Sequence, residues 1–158
     1  MTALTVTIRP AQPSDVPQVI QLVTSILQKE FSKDQSVYPA DDLEQIPAMV
    51  TAPQSVFLVA EEDRRLVGTC GVRADSSTTA ILRRLFVDSA HRGKGVGSQL
   101  LQQALAFCRE KGFREVVIRT STNMESAIRL CRAKGFKEDG RWNLGGVTLI
   151  LFRLRLAS

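Results

Sequence analysis

Apolar positions along this chain recur either at every second residue, as in a β-strand, or at helical spacing, and the first change between the two falls near residue 14. The stretch ALTVTIR, residues 3–9, alternates apolar and polar side chains, which is typical of a β-strand. From there the apolar positions recur at helical spacing, at Val16, Val19, Ile20, Val23, Ile26 and Leu27. The pattern predicts a helix that has Ser14 as its N-cap and Pro17 in its first turn.

A second, shorter helix is predicted over residues 41–50, after a turn-rich segment. Asp41 and Glu44 have the spacing of a capping box, in which two side chains satisfy free N–H groups at a helix start. The apolar face of this helix would be formed by Leu43, Ile46, Met49 and Val50. We expect Pro47 to kink or shorten the helix, because proline inside a helix removes a backbone hydrogen bond.

The rest of the chain reads as three strands, then helix, strand, helix and one or two further strands. The three strands, near residues 55–62, 65–74 and 79–88, are joined by short polar turns and predict an antiparallel meander. The next helix has one apolar face and ends at Lys111-Gly112. That face consists of Leu100, Leu101, Ala104, Leu105 and Cys108. The element order predicts an α/β fold around a mixed sheet, in one domain covering residues 1–158.

Composition excludes several classes of protein. No apolar run approaches the roughly 20 residues that cross a bilayer. The first 15 residues lack the basic start and long apolar centre of a signal peptide, so we expect a cytoplasmic protein. The three cysteines stand far apart, and the single histidine has no ligand partner at a recognisable spacing. We therefore expect reduced thiols and no metal site.

The formal net charge of +5 favours anionic ligands and is compatible with nucleic acid. The basic residues are scattered, however, and aromatic residues make up only 6% of the chain, so stacking of single-stranded bases is poorly supported. We do not expect a nucleic-acid partner.

Three glycines, Gly93, Gly95 and Gly97, stand where a predicted strand gives way to a helix. The first N–H groups of a helix lack intrahelical acceptors and carry partial positive charge, and glycines let a ligand approach the main chain. With Arg92 and Lys94 beside them, they predict an anion site suited to pyrophosphate. The spacing fits neither the P-loop nor the dinucleotide fingerprint. The alternative is a glycine-rich helix entry that binds nothing.

The segment RRLFVDSAHRGKGVGSQLLQQAL, residues 83–105, resembles the central motif of the GNAT superfamily of N-acetyltransferases, which has the form Arg/Gln-x-x-Gly-x-Gly/Ala. Residues 120–136 are similar to the family's second conserved block, a helix that ends at Gly135-Phe136. The element order fits along nearly the whole chain. The resemblance implies a single-domain GNAT-like fold, with a mixed central sheet, splayed central strands and flanking helices.

The resemblance also implies acetyl-CoA as cosubstrate and a set of residues that would hold it. Loop amides would bind the pyrophosphate, the strand before the loop would pair with the pantetheine arm, and an N–H near Phe86 or Val87 would polarise the thioester carbonyl. The implied donor-binding residues are Leu85, Phe86, Val87, Arg92, Gly93, Lys94, Gly95, Val96, Gly97, Ser98 and Asn123. Asn123 has a second interpretation, as a cap of the following helix.

The sequence departs from the family pattern at the catalytic positions. Many relatives carry a tyrosine as proton donor where this chain has Cys131, and a strand glutamate where it has Ile81. Cys131 is a candidate acid, although the usual burial of cysteine favours a packing role. Candidate bases are Glu30, Asp41, Glu61 and Glu62, each of which is alternatively a solvated surface residue.

The leading interpretation is therefore an acetyl-CoA-dependent N-acetyltransferase that transfers the acetyl group directly to a primary amine of a small molecule or peptide. The alternatives are a CoA-binding sensor without catalysis and, with less support, a basic nucleic-acid-binding protein. Acidic residues in the segment 31–51 mildly favour a cationic acceptor. We expect a monomer or a homodimer.

Overall fold

The centre of the fold is a seven-stranded mixed sheet. The structure, a computed structural model, describes residues 6–32 and 45–156. The strands are β1 (Thr7–Pro10), β2 (Val56–Glu62), β3 (Arg65–Ala74), β4 (Thr79–Val87), β5 (Glu115–Ser121), β6 (Lys137–Leu144) and β7 (Val147–Arg155). The helices are α1 (Val16–Glu30), α2 (Ile46–Thr51), α3 (Val96–Glu110) and α4 (Glu125–Ala133). This order confirms the predicted α/β fold, with two strands after α4.

The strands lie in the order β1-β2-β3-β4-β5-β7-β6, and β4 and β5 form a parallel pair at the centre. Their pairing runs from Thr79 opposite Glu115 to Leu82 opposite Ile118, although both strands continue beyond that point. The two central strands therefore separate after four residue pairs, which confirms the predicted splay. The meander β2-β3-β4 is antiparallel, as predicted.

The helices cover the two faces of the sheet because each has one apolar face. Val19 and Val23 of α1 are fully buried in a core that includes Phe57 of β2. Leu100 and Leu101 of α3 are fully buried in a second core, on the other face, with Leu82 of β4. The apolar stripes predicted for α1 and α3 are thus the sides that pack on the sheet.

The prediction that Ser14 caps α1 is wrong. A 3-10 turn, Pro13–Asp15, precedes the helix, and Asp15 occupies the N-cap position without a side-chain capping bond to the helix. The Asp15 carboxylate instead accepts hydrogen bonds from the Gln12 N–H, at 2.7 Å, and from Arg9. The polar group that organises this helix entry is therefore Asp15, one residue after the predicted cap. Pro17 lies in the first turn, as predicted.

The observed α2 is shorter than the predicted helix of residues 41–50, since it begins at Ile46, immediately before Pro47. Gln45 is the N-cap, and Pro47 lies in the first turn, where a missing N–H has no consequence. Ile46 and Met49 are buried, in agreement with the predicted apolar face. The capping box of Asp41 and Glu44 lies outside the described residues.

Candidate active site

A cavity of about 470 Å³ opens between the end of β4, the start of α3 and one side of α4. All the residues that sequence analysis assigned to the donor, except the exposed Lys94, line it. Further lining residues that the sequence did not indicate come from the start and inner side of α4 and from the end of α1. They include Phe31, Met124, Ala127 and Leu130. The helix α4 is too short for the spacing of its apolar residues to show whether they line a cavity or pack in the core.

The three glycines of the loop meet two different structural requirements. Gly93 and Gly95 have φ values of 73° and 85°, in the left-handed region that other residues rarely adopt. Gly95 in this conformation is the N-cap of α3. Gly97 has ordinary helical geometry, but a Cβ there would lie 3.3 Å from Leu130 of α4. Gly97 therefore lets α3 approach α4 closely.

The start of α3 presents free backbone donors to this cavity. The first intrahelical bond runs from the Gln99 N–H to the Gly95 carbonyl, at 3.0 Å. The N–H groups of Val96, Gly97 and Ser98 therefore have no acceptor within the helix, and all three residues line the cavity. The helix dipole adds partial positive charge at the same place, so the cavity end fits a phosphate or pyrophosphate.

Arg92 fixes the loop to β4 and reaches α1. Its Nε donates to the Val87 carbonyl at 3.1 Å, and its guanidinium forms an ion pair with the carboxylate of Glu30. The structure thus places Glu30, a candidate base, at the anion-binding end of the cavity. The Glu30 carboxylate pairs with the guanidinium of Arg92, which would otherwise bind the phosphates of the ligand.

Beyond Leu82, β4 no longer pairs with β5, and at Val87 the carbonyl on this side accepts a hydrogen bond from the Nε of Arg92. The Asp88 N–H donates to the Val67 carbonyl of β3 at 2.8 Å, and Val87 lies opposite Gly68. In an antiparallel ladder this arrangement turns the main-chain groups of Val87 away from β3, toward the gap beside β5. Of the two N–H groups considered in the sequence analysis, the one of Val87 therefore faces the gap.

A bulge in β4 lies directly before this edge. Arg84 and Leu85 together face Cys70, because the register shifts between Gly71 opposite Arg83 and Thr69 opposite Phe86. Arg84 has a φ of 58°, which is strained for a residue with a side chain, and the Thr69 hydroxyl donates to its carbonyl at 2.7 Å. The bulge separates the paired part of β4 from the part that lines the cavity.

The other candidate catalytic residues lie elsewhere. Glu61 is ion-paired with Arg9, and Glu62 contacts His91; neither glutamate lines the donor cavity. Asp41 lies outside the described residues. Asn123 lines the donor cavity, and its interpretation as a cap of α4 is wrong, because Met124 holds the N-cap position.

Cys131, at the position of the family's usual tyrosine, is fully buried and does not line the donor cavity. It packs in the core beside α3 with Phe136 and Phe152. Burial raises the pKa of its thiol to about 12, so the thiol stays protonated near neutral pH. This placement favours the packing role over that of proton donor.

A second cavity, of about 200 Å³, meets the first where β4 and β5 separate. The two cavities share four lining residues: Leu85, Phe86, Met124 and Ala127. The second is also lined by four arginines that the sequence analysis did not connect: Arg73, Arg83, Arg84 and Arg119. They stand on three strands, and only the register brings them together.

None of the helices in the described ranges has the length and hydropathy that a bilayer-spanning segment requires. The same part of the chain holds no group of three or more His, Cys, Asp and Glu residues placed to ligate a metal ion.

The proteins that this chain resembles in sequence and in structure include acetyltransferases. A human protein, N-acetyltransferase 8B, is 39% identical over 72 residues, which are 42% of this chain and 32% of that protein. The chain thus matches about a third of that relative's length. A GNAT-family acetyltransferase from Staphylococcus aureus superposes with a TM-score of 0.81 at 24% identity, covering 97% of this chain and all of that one.

A second solved structure, yncA from Salmonella typhimurium with its cofactor acetyl-CoA, superposes with a TM-score of 0.77 at 23% identity, over 98% of this chain and 96% of that one. At these identities the likeness establishes the fold. The family model described as "Acetyltransferase (GNAT) family" matches residues 20–136, most of the chain. This chain therefore belongs to the GNAT acetyltransferase family, acyltransferases that use acetyl-CoA as cosubstrate.

Proposed function

We propose that this chain transfers the acetyl group of acetyl-CoA directly to a primary amine, with both substrates bound at once. The observation that carries the proposal is that the two cavities meet at the splay between β4 and β5. The donor cavity has the free backbone N–H groups of the start of α3 at the end away from this splay. The second cavity reaches the splay from the face of the sheet. Acetyl-CoA would supply the reactive thioester there.

The donor side of the site matches the parts of such a molecule. The amides of Val96, Gly97 and Ser98, with Arg92, would hold the pyrophosphate. The side of β4 that faces the gap beyond Leu82 would pair with the amide-bearing pantetheine arm as an added strand. The Val87 N–H is then positioned to stabilise negative charge on the carbonyl oxygen during transfer.

The acceptor side would deliver a neutral amine. A C–N bond forms as the C–S bond breaks, the amine loses a proton to solvent, and the CoA sulfur leaves as a thiolate or thiol. The described lining of the second cavity contains no Asp, Glu or His to act as base.

Two measurements test this function. Acetyl-CoA at 100 times its Kd should raise the free energy of unfolding by about 2.7 kcal/mol in thermal denaturation. Release of CoA thiol should then depend on an added amine; the three cysteines are buried, so a thiol reagent reports CoA alone in the folded protein. No stabilisation would overturn the proposal, and stabilisation without turnover for any amine would assign the chain as a CoA sensor.

A further inference from the structure

The side chain of Thr120 on β5 is buried at the point where β4 and β5 separate. Leu82 and Ile118 form the last pair between the two strands, and Thr120 follows Ile118 by two positions. Thr120 is only 2% exposed, and it lines the second cavity. Side chains two positions apart on a strand lie on the same face, so Thr120 shares the face of Ile118 and stands immediately beyond the last strand pair.

The hydroxyl oxygen of Thr120 has no hydrogen-bond partner in the described structure. Buried hydroxyl groups are rarely left unsatisfied, because burial removes the water that would otherwise bond to them. Thr69, on β3 of the same sheet, shows the usual arrangement: it is fully buried, and its hydroxyl donates to the Arg84 carbonyl at 2.7 Å. The contrast indicates that the Thr120 hydroxyl bonds to a ligand or to an ordered water in the cavity.

Thr120 lies close to the junction of the two cavities. The strand β5 ends at Ser121, and the Met124 N–H donates to the Ser121 carbonyl at 3.0 Å. This turn places Met124, which lines both cavities, beside the end of the strand that carries Thr120. In the proposed function the pantetheine arm pairs with β4 in the gap, so the thioester would lie at this junction.

The transfer needs a hydrogen-bond donor near the sulfur of the thioester. The sulfur gains negative charge as it leaves carbon, and a positioned donor stabilises that charge. Cys131, the candidate proton donor from the sequence, lies in the core and does not line the donor cavity. Among the described residues that line the second cavity, Thr120 carries the only polar side chain apart from the arginines. Thr120 is therefore the neutral donor closest to the place where the sulfur departs.

We infer that the Thr120 hydroxyl donates a hydrogen bond to the sulfur of acetyl-CoA as the C–S bond breaks, which makes Thr120 a catalytic residue of the transfer. The inference rests on the proposed function and deepens it. The amine nitrogen forms the C–N bond, the electron pair of the C–S bond stays on sulfur, and the amine proton goes to solvent. A threonine hydroxyl is a far weaker acid than a thiol, so it keeps its proton, and the CoA thiolate takes a proton from solvent.

The pKa of the bound CoA thiol tests the inference without any acceptor. Free CoA is added to the full chain, and the ultraviolet absorbance of its thiolate is followed from about pH 6 to about pH 10. A hydrogen bond to the thiolate lowers the pKa of the thiol, so Thr120→Val should raise that pKa by about one unit, and Thr120→Ser should keep the parent value. The three cysteines of the chain do not interfere, because burial raises the pKa of each of their thiols. Equal pKa values in the parent and Thr120→Val would overturn the inference.

Steady-state kinetics give the second test. The assay uses saturating acetyl-CoA and the most active of ethanolamine, L-phenylalaninamide and spermidine. Thr120→Val should lower kcat/KM for the amine by about tenfold or more, and Thr120→Ser should retain most of the activity. The Kd of acetyl-CoA in calorimetry should change little, because the hydrogen bond strengthens only as charge develops on sulfur. Full activity of Thr120→Val would overturn the inference, and so would an activity loss matched by an equal loss of acetyl-CoA affinity.

Two controls separate this role from a structural one. A methyl group in place of an unsatisfied hydroxyl should not destabilise the fold, so Thr120→Val should be at least as stable as the parent in urea unfolding. Thr148→Val is the matched control for activity, since Thr148 is half-buried on β7 and is not among the described residues that line either cavity. It should leave turnover and the pKa of bound CoA unchanged. Comparable losses in both valine variants would attribute the effect to the sheet and overturn the inference.

Acetyl-CoA affinity separates failure of this inference from failure of the proposed function. A chain that does not bind acetyl-CoA in calorimetry fails the proposed function, and the inference falls with it. A chain that binds acetyl-CoA and shows the same pKa of bound CoA in the parent and Thr120→Val retains the function and loses the inference. Where none of the three amines is acetylated, the titration of bound CoA decides alone.

Discussion

At the scale of single residues, the three loop glycines form one sequence pattern but meet two different structural requirements. Gly93 and Gly95 adopt a left-handed backbone with open space around them, whereas Gly97 is required by the nearness of Leu130. The sequence predicts the helix entry and its anion site from the glycine density. It cannot separate the two requirements, because the nearness of α4 depends on tertiary packing.

Gly95→Glu should weaken acetyl-CoA binding by more than tenfold, which corresponds to about 1.4 kcal/mol, because a carboxylate would stand at the anion end of the cavity. Calorimetry measures the affinity. Gly112→Glu is the matched control: Gly112 has a φ of 83° and open space around its Cβ position, so it carries the same backbone strain away from the site. Comparable affinity losses in both variants would attribute the effect to strain alone.

Glu30→Gln should tighten acetyl-CoA binding, because it removes the carboxylate that now pairs with Arg92 at the anion-binding end. Relief of one such charge contact gives a several-fold gain in affinity, of the order of 1 kcal/mol. The measurements are the Kd of acetyl-CoA and kcat. A large fall in kcat with unchanged Kd would instead support the role of Glu30 as a base.

Cys131→Ala should leave kcat and its pH profile nearly unchanged, because the thiol is buried in the core and its pKa is raised to about 12 by that burial. The variant should lose about 1 kcal/mol of stability through the lost packing. Steady-state kinetics and denaturant unfolding measure the two effects. A tenfold fall in kcat in a folded Cys131→Ala protein would restore the proton-donor interpretation.

At the scale of elements, β4 is the strand that joins the two cavities. Its first half pairs with β5, its bulge turns the chain at Arg84, and its last residues line the donor cavity. The alternation of the sequence predicted the strand but not the bulge, because Arg84 is an unfavourable residue for a left-handed conformation. Tertiary contacts, including the Thr69 hydroxyl, hold it there.

Thr69→Val should destabilise the protein by about 1–3 kcal/mol, because it leaves the Arg84 carbonyl without the Thr69 hydroxyl that donates to it within a buried strand pair. Thr69→Ser keeps the hydroxyl and should recover part of that loss. Urea unfolding of the three proteins gives the comparison. Equal stability of the valine variant and the parent would show that the bulge does not depend on this hydrogen bond.

At the scale of the whole molecule, the sequence predicted the fold because the signals for it are local. The helical spacing of apolar residues identifies α1 from residues 16–27 and α3 from residues 100–108. The polar turns identify the strands of the meander, and none of these signals depends on another element. The arginine-lined cavity could not be predicted in this way. Arg73 and Arg119 are distant in sequence and become neighbours only through the register of three strands.

The stability of the whole chain should depend on pH through Asp15, which ties the start of α1 to Arg9 of β1. Hydrogen bonding from Arg9 holds the pKa of the Asp15 carboxyl below its usual range. The pKa of this carboxyl is lower in the folded state than in the unfolded chain, where it is about 3.9, so its ionised form stabilises the fold at pH values above 3.9. This contribution is lost as the pH falls through the lower pKa of the folded state. Asp15→Asn should therefore be less stable than the parent at pH 7, by about 1 kcal/mol.

The difference in unfolding free energy between parent and Asp15→Asn should shrink as the pH falls from 7 toward 2, because protonation removes in the parent the charge that the variant already lacks. Denaturant unfolding at several pH values measures it. Asp75→Asn is the control, since Asp75 is exposed in the turn between β3 and β4, and its replacement should change stability little. A difference between parent and Asp15→Asn that stays constant across this range would show that the charge of Asp15 does not stabilise the fold.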